Sequence, residues 1–349
     1  MKIAQVCPRY PPYIGGVETH VSEISGRLAR AGHEVTVVST DPSGKLPRES
    51  VVEGVRVLRF PAFAPGDAYY FSPSLYKLMR GATGFDVVHA HGYHAFPALL
   101  STGSNAKKFI FTPHYHGKGH TPLRNFLLKP YRLAGRRAFE KADTVVCVSE
   151  FEKGLVCRHF GCEDKVKVVP NGIVRSEFSG LERVESEKQI LYVGRLEEYK
   201  GVQYAIKALQ LLPEYRLKIV GKGPYREALA REAADAGIAD RVDFRSDLSR
   251  KELLQSYAAA DVTIMLSKFE AYGITVAEAL AAGVPTIVAN GSALSEFVDN
   301  GLCKGVDLPV SVETLADEIK TARRLPYAKE ILDWDEVVSR LLDIYRGDQ

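Results

Sequence analysis

Residues 2–40 read KIAQVCPRYPPYIGGVETHVSEISGRLARAGHEVTVVST. The first apolar run, KIAQVCP, is short and closes at Pro8. A loop rich in proline, tyrosine and glycine (RYPPYIGG) follows it. Val17, Val21, Ile24 and Leu28 then recur at the spacing of one helix face, and Gly32 suits the end of that helix. HEVTVVST is a second run of strand character. Strand, glycine-containing loop, helix and strand together open a Rossmann-like βαβ unit, and so a parallel α/β sheet.

The alternation continues outward from there. VVEGVRVLRF, DVVHAH, KKFIFTPH, DTVVCVS and KVKVVPNG are further strand-like runs, each closed by a loop-forming residue. Residues 175–187 (RSEFSGLERVESE) break the pattern with six charged side chains and no apolar run, and the domain boundary is placed there. KQILYVGR, RLKIVGKG, RVDFRS, DVTIML and PTIVAN then restart it, with helices expected at about 202–212, 225–236, 251–260 and 274–283. This is a second doubly wound domain, 175–333, after a first at 1–174. LDWDEVVSRLLDIYR closes the chain as an amphipathic helix with Trp334, Val337, Leu341, Leu342 and Tyr345 on one face.

Composition fits this reading. The 349 residues are 46% hydrophobic and 26% charged, which excludes a disordered or low-complexity chain and leaves room for two cores. The net charge of +3 hides an asymmetry: residues 1–172 carry 23 basic and 14 acidic side chains, and residues 173–349 carry 23 and 29. Five scattered cysteines, an odd number, point to a reducing compartment, so a cytoplasmic protein is expected. Cys157, His159 and Cys162 are close in sequence, but no second Cys or His pair nearby completes a tetrahedron. MKIAQVCPRY has no long apolar region of the secretory kind, and no run approaches the length of a membrane span.

Four features carry chemistry. Gly15 and Gly16 precede the opening helix, where backbone N–H groups can meet an anion; a turn needing an unusual φ is the plainer account of the same glycines. Val193–Gly201, VGRLEEYKG, follows the first strand of the second domain and sets Arg195 and Lys200 five residues apart, where they can meet one diphosphate; an exposed lysine and an arginine paired to a nearby Glu would look the same. Glu270–Glu278, EAYGITVAE, enters a helix at Gly273. Glu278 lies about one turn in, where a carboxylate can accept two ribose hydroxyls, and the amides near Gly273 can meet sugar or phosphate oxygens. Finally, Val87–Phe139 holds no Asp or Glu in 53 residues but eight Lys/Arg and six of the nine histidines. A solvated basic face would explain it, as would an acidic acceptor, a phosphate or an anionic membrane. His114, closing the strand ahead of it in Thr112-Pro113-His114, is the histidine best placed for function.

In this order the pieces resemble the family-4 retaining glycosyltransferases of GT-B fold. The matching stretches are GGVETHV (15–21), TPH (112–114), ADTVVCVSE (142–150), VVPNGI (168–173), VGRLEEYKG (193–201), IVGKGP (219–224) and EAYGITVAEALAAGVP (270–285), covering nearly the whole chain. The resemblance implies two Rossmann-like domains facing across a cleft, with the last helix, about 334–349, crossing back to the first. It implies that Gly15 and Gly16 meet the donor diphosphate from the first domain while Arg195 and Lys200 neutralise it from the second. Glu278 would hold the ribose. Glu270 and the backbone of Ala271, Tyr272, Gly273 and Ile274 would hold the donor sugar, and His114 would lie beside the transferred sugar. Arg195, Lys200, Glu270 and His114 are thus the expected catalytic set. Three places depart from the family pattern: Tyr272 replaces the commoner Phe or Gly, Met265-Leu266-Ser267 replaces Pro-Ser, and Asn290-Gly291-Ser292 replaces a Gly-Gly pair.

The activity so implied is transfer of a hexose from a nucleoside-diphosphate sugar to a hydroxyl of a lipid or glycan acceptor, with retention and with no metal or other cofactor. It would take place at the cytoplasmic face of a membrane, with segment 107–137 touching anionic lipid. A GT-B nucleotide-sugar epimerase and a non-catalytic nucleotide-sugar binder are the alternatives; the intact Arg195–Lys200–Glu270–Glu278 set speaks against both. No zinc finger, RNA-recognition signature or aromatic-interleaved basic run supports nucleic-acid binding.

Overall fold

The computed structural model describes residues 1–81, 83–117, 122–183, 187–323 and 330–347, with backbone alone for 122–130. It divides into two compact units, Met1–Asn171 with Trp334–Gln349, and Gly172–Asp333.

The N-terminal unit is built on an eight-stranded sheet. Its strands are β1 (Lys2–Val6), β2 (Glu34–Asp41), β3 (Glu49–Val52), β4 (Val55–Pro61), β5 (Val87–His91), β6 (Lys108–Thr112), β7 (Thr144–Cys147) and β8 (Val166–Val168). Their order is β3-β4-β2-β1-β5-β6-β7-β8, parallel except for β3 against β4. The inner strands are buried along nearly their whole length, which is why they read as continuous apolar runs without alternation. The run VVEGVRVLRF folds as a hairpin rather than one strand. Glu53 and Gly54 both take positive φ, the pairing that a two-residue turn between antiparallel strands requires.

The helix Gly16–Arg30 buries Val21, Ile24 and Leu28 on the sheet, and Gly32 (φ 84°) follows its end. The helix Trp334–Arg346 packs against it, with Trp334, Val337, Val338, Leu341, Ile344 and Tyr345 buried. The chain's last helix therefore belongs to the unit formed by the chain's first half, tied there by Gln5 Nε2 donating to Tyr345 Oη at 3.1 Å and Arg27 Nε to Asp335 at 2.7 Å. Burying each such aliphatic side chain contributes roughly 1.5–3 kcal/mol.

The C-terminal unit has six parallel strands: β9 (Lys188–Val193), β10 (Tyr215–Val220), β11 (Val242–Arg245), β12 (Val262–Met265), β13 (Thr286–Ala289) and β14 (Lys304–Val306). Their order is β11-β10-β9-β12-β13-β14. Numbered within the unit this is 3-2-1-4-5-6, the dinucleotide-binding order, in which the winding reverses between the first and fourth strands. Loops leaving β9 and β12 diverge there, and the crevice between them is where such sheets bind ligands. No helix among the described residues is long and apolar enough to cross a membrane.

Candidate active site

In the C-terminal unit the loop after β9 carries Arg195 and Lys200, and the loop after β12 carries Glu270, so the reversal point brings them together. The β9 loop ends in a single 3-10 turn, Glu198–Lys200, followed by Gly201 in the left-handed region (φ 76°). A Cβ on Gly201 would collide with the Leu266 carbonyl, so only glycine lets the two loops approach this closely. That approach sets Lys200 Nζ 2.5 Å from Glu270 Oε1. Both side chains are largely buried, at 13% and 17% exposure, and Lys200 also lies 5.3 Å from the centroid of the Tyr199 ring. Burial alone would lower the Lys200 ammonium, but the Glu270 carboxylate more than offsets it and leaves the group above an ordinary lysine. Arg195 is 48% exposed and reaches Glu197 at 3.4 Å, while its carbonyl accepts from Tyr192 Oη at 2.8 Å.

Gly273 (φ 119°) is the N-cap of the helix Ile274–Ala281. Its carbonyl already accepts from Val276 and Ala277, so the Ile274 and Thr275 amides lie at a helix start with no place in the helical ladder. Tyr272, the departure from the family pattern, packs its ring 5.5 Å from Phe297, partly buried against the apolar core of the unit. Ala271 precedes it on the same loop.

Glu278 sits on the inner side of that helix at 8% exposure. Its two oxygens accept from Arg250 Nη1 at 2.6 Å and Tyr257 Oη at 3.0 Å. Arg250 bridges onward to Glu177 at 2.6 Å. Burial raises the Glu278 carboxyl above its usual range against the opposing pull of Arg250 and Tyr257. Arg250 was not singled out from sequence. Its only local signal is the capping box of Ser249 and Glu252 that starts its helix, and this fixes the helix without revealing the partner.

In the N-terminal unit Gly15 is extended and Gly16 begins the first helix. The Glu18 carboxylate folds against Gly15 and accepts from Arg9 Nε at 2.8 Å; Arg9 also reaches Asp67 at 2.7 Å. This pairing, unforeseen from sequence, puts an arginine held by two carboxylates beside the helix start. His114 closes β6 in the left-handed region (φ 48°), an uncommon conformation for a non-glycine residue. Its ring lies edge-on to His20 at 4.9 Å and stacks with His91 at 6.0 Å. Burial holds all three imidazoles below the ordinary value, His20 at about 4.

The basic segment is partly neutralised. Lys107 pairs with Asp86 at 2.8 Å and Arg136 with Glu140 at 3.3 Å, while Arg132 donates to the Gly117 carbonyl at 3.1 Å. Lys118 and the side chains of Arg124 and Lys129 lie outside the described residues. The sequence holds one Asp-x-Asp, Asp333-Trp334-Asp335. Asp333 accepts from the Arg175 amide and Asp335 from the Arg27 guanidinium, so both carboxylates serve local structure.

Known protein families match the chain along most of its length. Residues 14–177 match the family described as Glycosyltransferase Family 4, and residues 174–331 match Glycosyl transferases group 1. A glycosyltransferase of Methanocaldococcus jannaschii is 30% identical over 390 aligned positions, covering 99% of this chain and 98% of that one. The chain is a group 1 glycosyltransferase. A second relative is the GDP-mannose-dependent α-(1-6)-phosphatidylinositol monomannoside mannosyltransferase of Mycolicibacterium smegmatis, 26% identical over 347 positions, with 90% of this chain and 88% of that one covered. Among solved structures, Anabaena HepE in complex with UDP and glucose superposes with a TM-score of 0.79 at 19% identity, over 99% of this glycosyltransferase and all of that chain. The fold is therefore GT-B, and the reversal-point loops of the C-terminal unit belong to a glycosyltransferase.

Proposed function

We propose that this glycosyltransferase moves a hexose from a nucleoside-diphosphate sugar to a hydroxyl of a lipid or glycan acceptor, with retention of anomeric configuration and without a metal. The observation that carries the reading is the buried Lys200–Glu270 pair at the reversal point, with Arg195 on the same loop. Cleaving a glycosyl–phosphate bond leaves negative charge on the diphosphate and positive charge on the anomeric carbon. Two preorganised cations aimed at the first charge stabilise the transition state as a metal would. Arg195 offers a planar fork for two phosphate oxygens and Lys200 a point charge. When a diphosphate engages Lys200, Glu270 is released to accept the sugar hydroxyls, with the amides at the start of the helix Ile274–Ala281 beside it. Glu278, oriented by Arg250 and Tyr257, takes the ribose hydroxyls with its remaining lone pairs. For the N-terminal unit, the family resemblance assigns Gly15 and Gly16 to the diphosphate and His114 to the transferred sugar. Retention follows from attack on the face the diphosphate leaves, with the departing phosphate taking the acceptor proton.

A lipid acceptor is favoured by the M. smegmatis relative, whose name records a phosphatidylinositol mannoside acceptor and GDP-mannose as donor; the HepE complex holds UDP and glucose. The helix Pro122–Lys141 supports contact with the cytoplasmic membrane face, since Leu133 is 81% exposed near Arg136 and Arg137. The test is turnover on UDP-, GDP- and ADP-hexoses in a strong chelator. Retained activity supports the metal-free reading, and its complete loss, restored by one divalent ion, overturns it.

A further inference from the structure

Three histidines of the N-terminal unit converge from different elements: His20 from the helix after β1, His91 from the end of β5 and His114 from just beyond β6. One ligating atom from each lies within 4.8 Å of the others. His20 and His91 are buried, and His114 is the partly exposed member. His20 Nε2, His91 Nδ1 and His114 Nε2 have no hydrogen-bond partner among the described residues.

One nitrogen on each of two of these rings is occupied, and that fixes which nitrogen keeps a lone pair. Gln5 Nε2 donates to Tyr345 Oη at 3.1 Å, which turns Gln5 Oε1 toward His91 Nε2 at 2.7 Å. The His91 proton is therefore on Nε2, and Nδ1 is an open lone pair. His20 Nδ1 meets Asn171 Oδ1 at 2.6 Å; an amide oxygen accepts, so the proton there sits on Nδ1 and Nε2 is open. Neighbouring His89 makes the contrast: both its nitrogens are satisfied, by Tyr345 Oη at 2.6 Å and Thr112 Oγ1 at 2.8 Å. Buried acceptors left without donors are costly. Imidazoles pinned by a carbonyl-type oxygen on one nitrogen, with the other open, have the outer hydrogen-bond support that metal ligands have.

We propose that His20, His91 and His114 bind a divalent transition metal of the zinc type, with the fourth position open. Three imidazoles and no carboxylate suit zinc-class ions rather than calcium or magnesium. Zn–N bonds of about 2 Å at tetrahedral angles place ligand nitrogens about 3.3 Å apart, so small ring rotations close the cluster around an ion. A metal here would take up the His114 imidazole and so lower transfer; this consequence alone rests on the proposed role of His114, and the transfer step itself uses no metal.

The experiment is equilibrium dialysis of the chelator-stripped full chain against Zn2+, with the visible spectrum of the Co2+ form as a second readout. One ion per chain is expected, with d–d bands of a tetrahedral nitrogen site and no thiolate charge-transfer band. His20→Gln and His91→Gln, checked for folding by circular dichroism, should weaken binding more than tenfold. Gln5→Ala should weaken it about 10–100-fold by freeing the His91 ring. Cys157→Ser should leave it unchanged. No stoichiometric zinc, a thiolate band in the wild-type Co2+ spectrum, or binding abolished by Cys157→Ser each overturns the site. Zinc bound with transfer unaffected keeps the site and removes His114 from the transfer machinery instead.

Discussion

Arg195 and Lys200 have the same proposed task on the donor, yet the structure separates them by environment, and that difference is measurable without any substrate. Lys200→Met leaves Glu270, at 17% exposure, without its cation. Removing one member of a buried ion pair costs about 3–5 kcal/mol, because the survivor stays desolvated and unpaired. Both groups keep some access to water, so the low end, about 3 kcal/mol, is expected. Arg195 is 48% exposed, and Arg195→Ala should change stability by no more than about 0.5 kcal/mol. The assay is thermal unfolding followed by far-ultraviolet circular dichroism. For a unit of this size a 3 kcal/mol loss corresponds to a fall of about 6–12 °C in Tm. Adding Glu270→Gln to Lys200→Met should recover much of the loss, since no unpaired charge then remains. If Lys200→Met is as stable as wild type, or Arg195→Ala falls equally, the buried pair is not as described here.

Three further outcomes are expected. Arg250→Met removes the cation that orients Glu278, and should raise KM for a nucleoside-diphosphate hexose roughly tenfold while changing kcat little; an unchanged KM contradicts its orienting role. In chelator, acid should destabilise the N-terminal unit, and Trp334, the single tryptophan and 5.7 Å from His20, reports it by fluorescence. The unfolded chain protonates His20 near 6.5 and the folded unit only near 4. Between those values the unfolded state binds more protons, so stability falls as pH falls, by about 1.4 kcal/mol per pH unit and about 2 kcal/mol from pH 7.5 to 5. His89, His91 and His114 shift in the same direction and add to the loss; equal stability at both pH values would refute it. Vesicles rich in anionic lipid should retain the protein at low salt and release it at high salt, and no retention at low salt removes the membrane contact.

Much of this architecture is legible in the sequence, because parallel strands buried on both faces leave short apolar runs such as KIAQV and TVVC. The two loops at the reversal point were legible too, since Arg195, Lys200, Glu270 and Glu278 lie within two short motifs. What escaped was contact across long separations or in weak signals. β14 is three residues, KGV, beginning with lysine, and has no apolar pattern to find. The β3–β4 turn at Glu53-Gly54 lies inside a run that looks like one strand. Arg250 meets Glu278 from 28 residues away, and His20 meets Asn171 from 151. Those pairings are set by strand order, so no local spacing announces them.

The account stands or falls on nucleoside-diphosphate release from UDP-, GDP- and ADP-hexoses by wild type, Arg195→Ala and Lys200→Ala, measured in chelator at a temperature where all three are folded. The prediction is turnover with at least one donor, reduced about 10²–10³-fold in each variant. Turnover near the wild-type rate in both variants would contradict it.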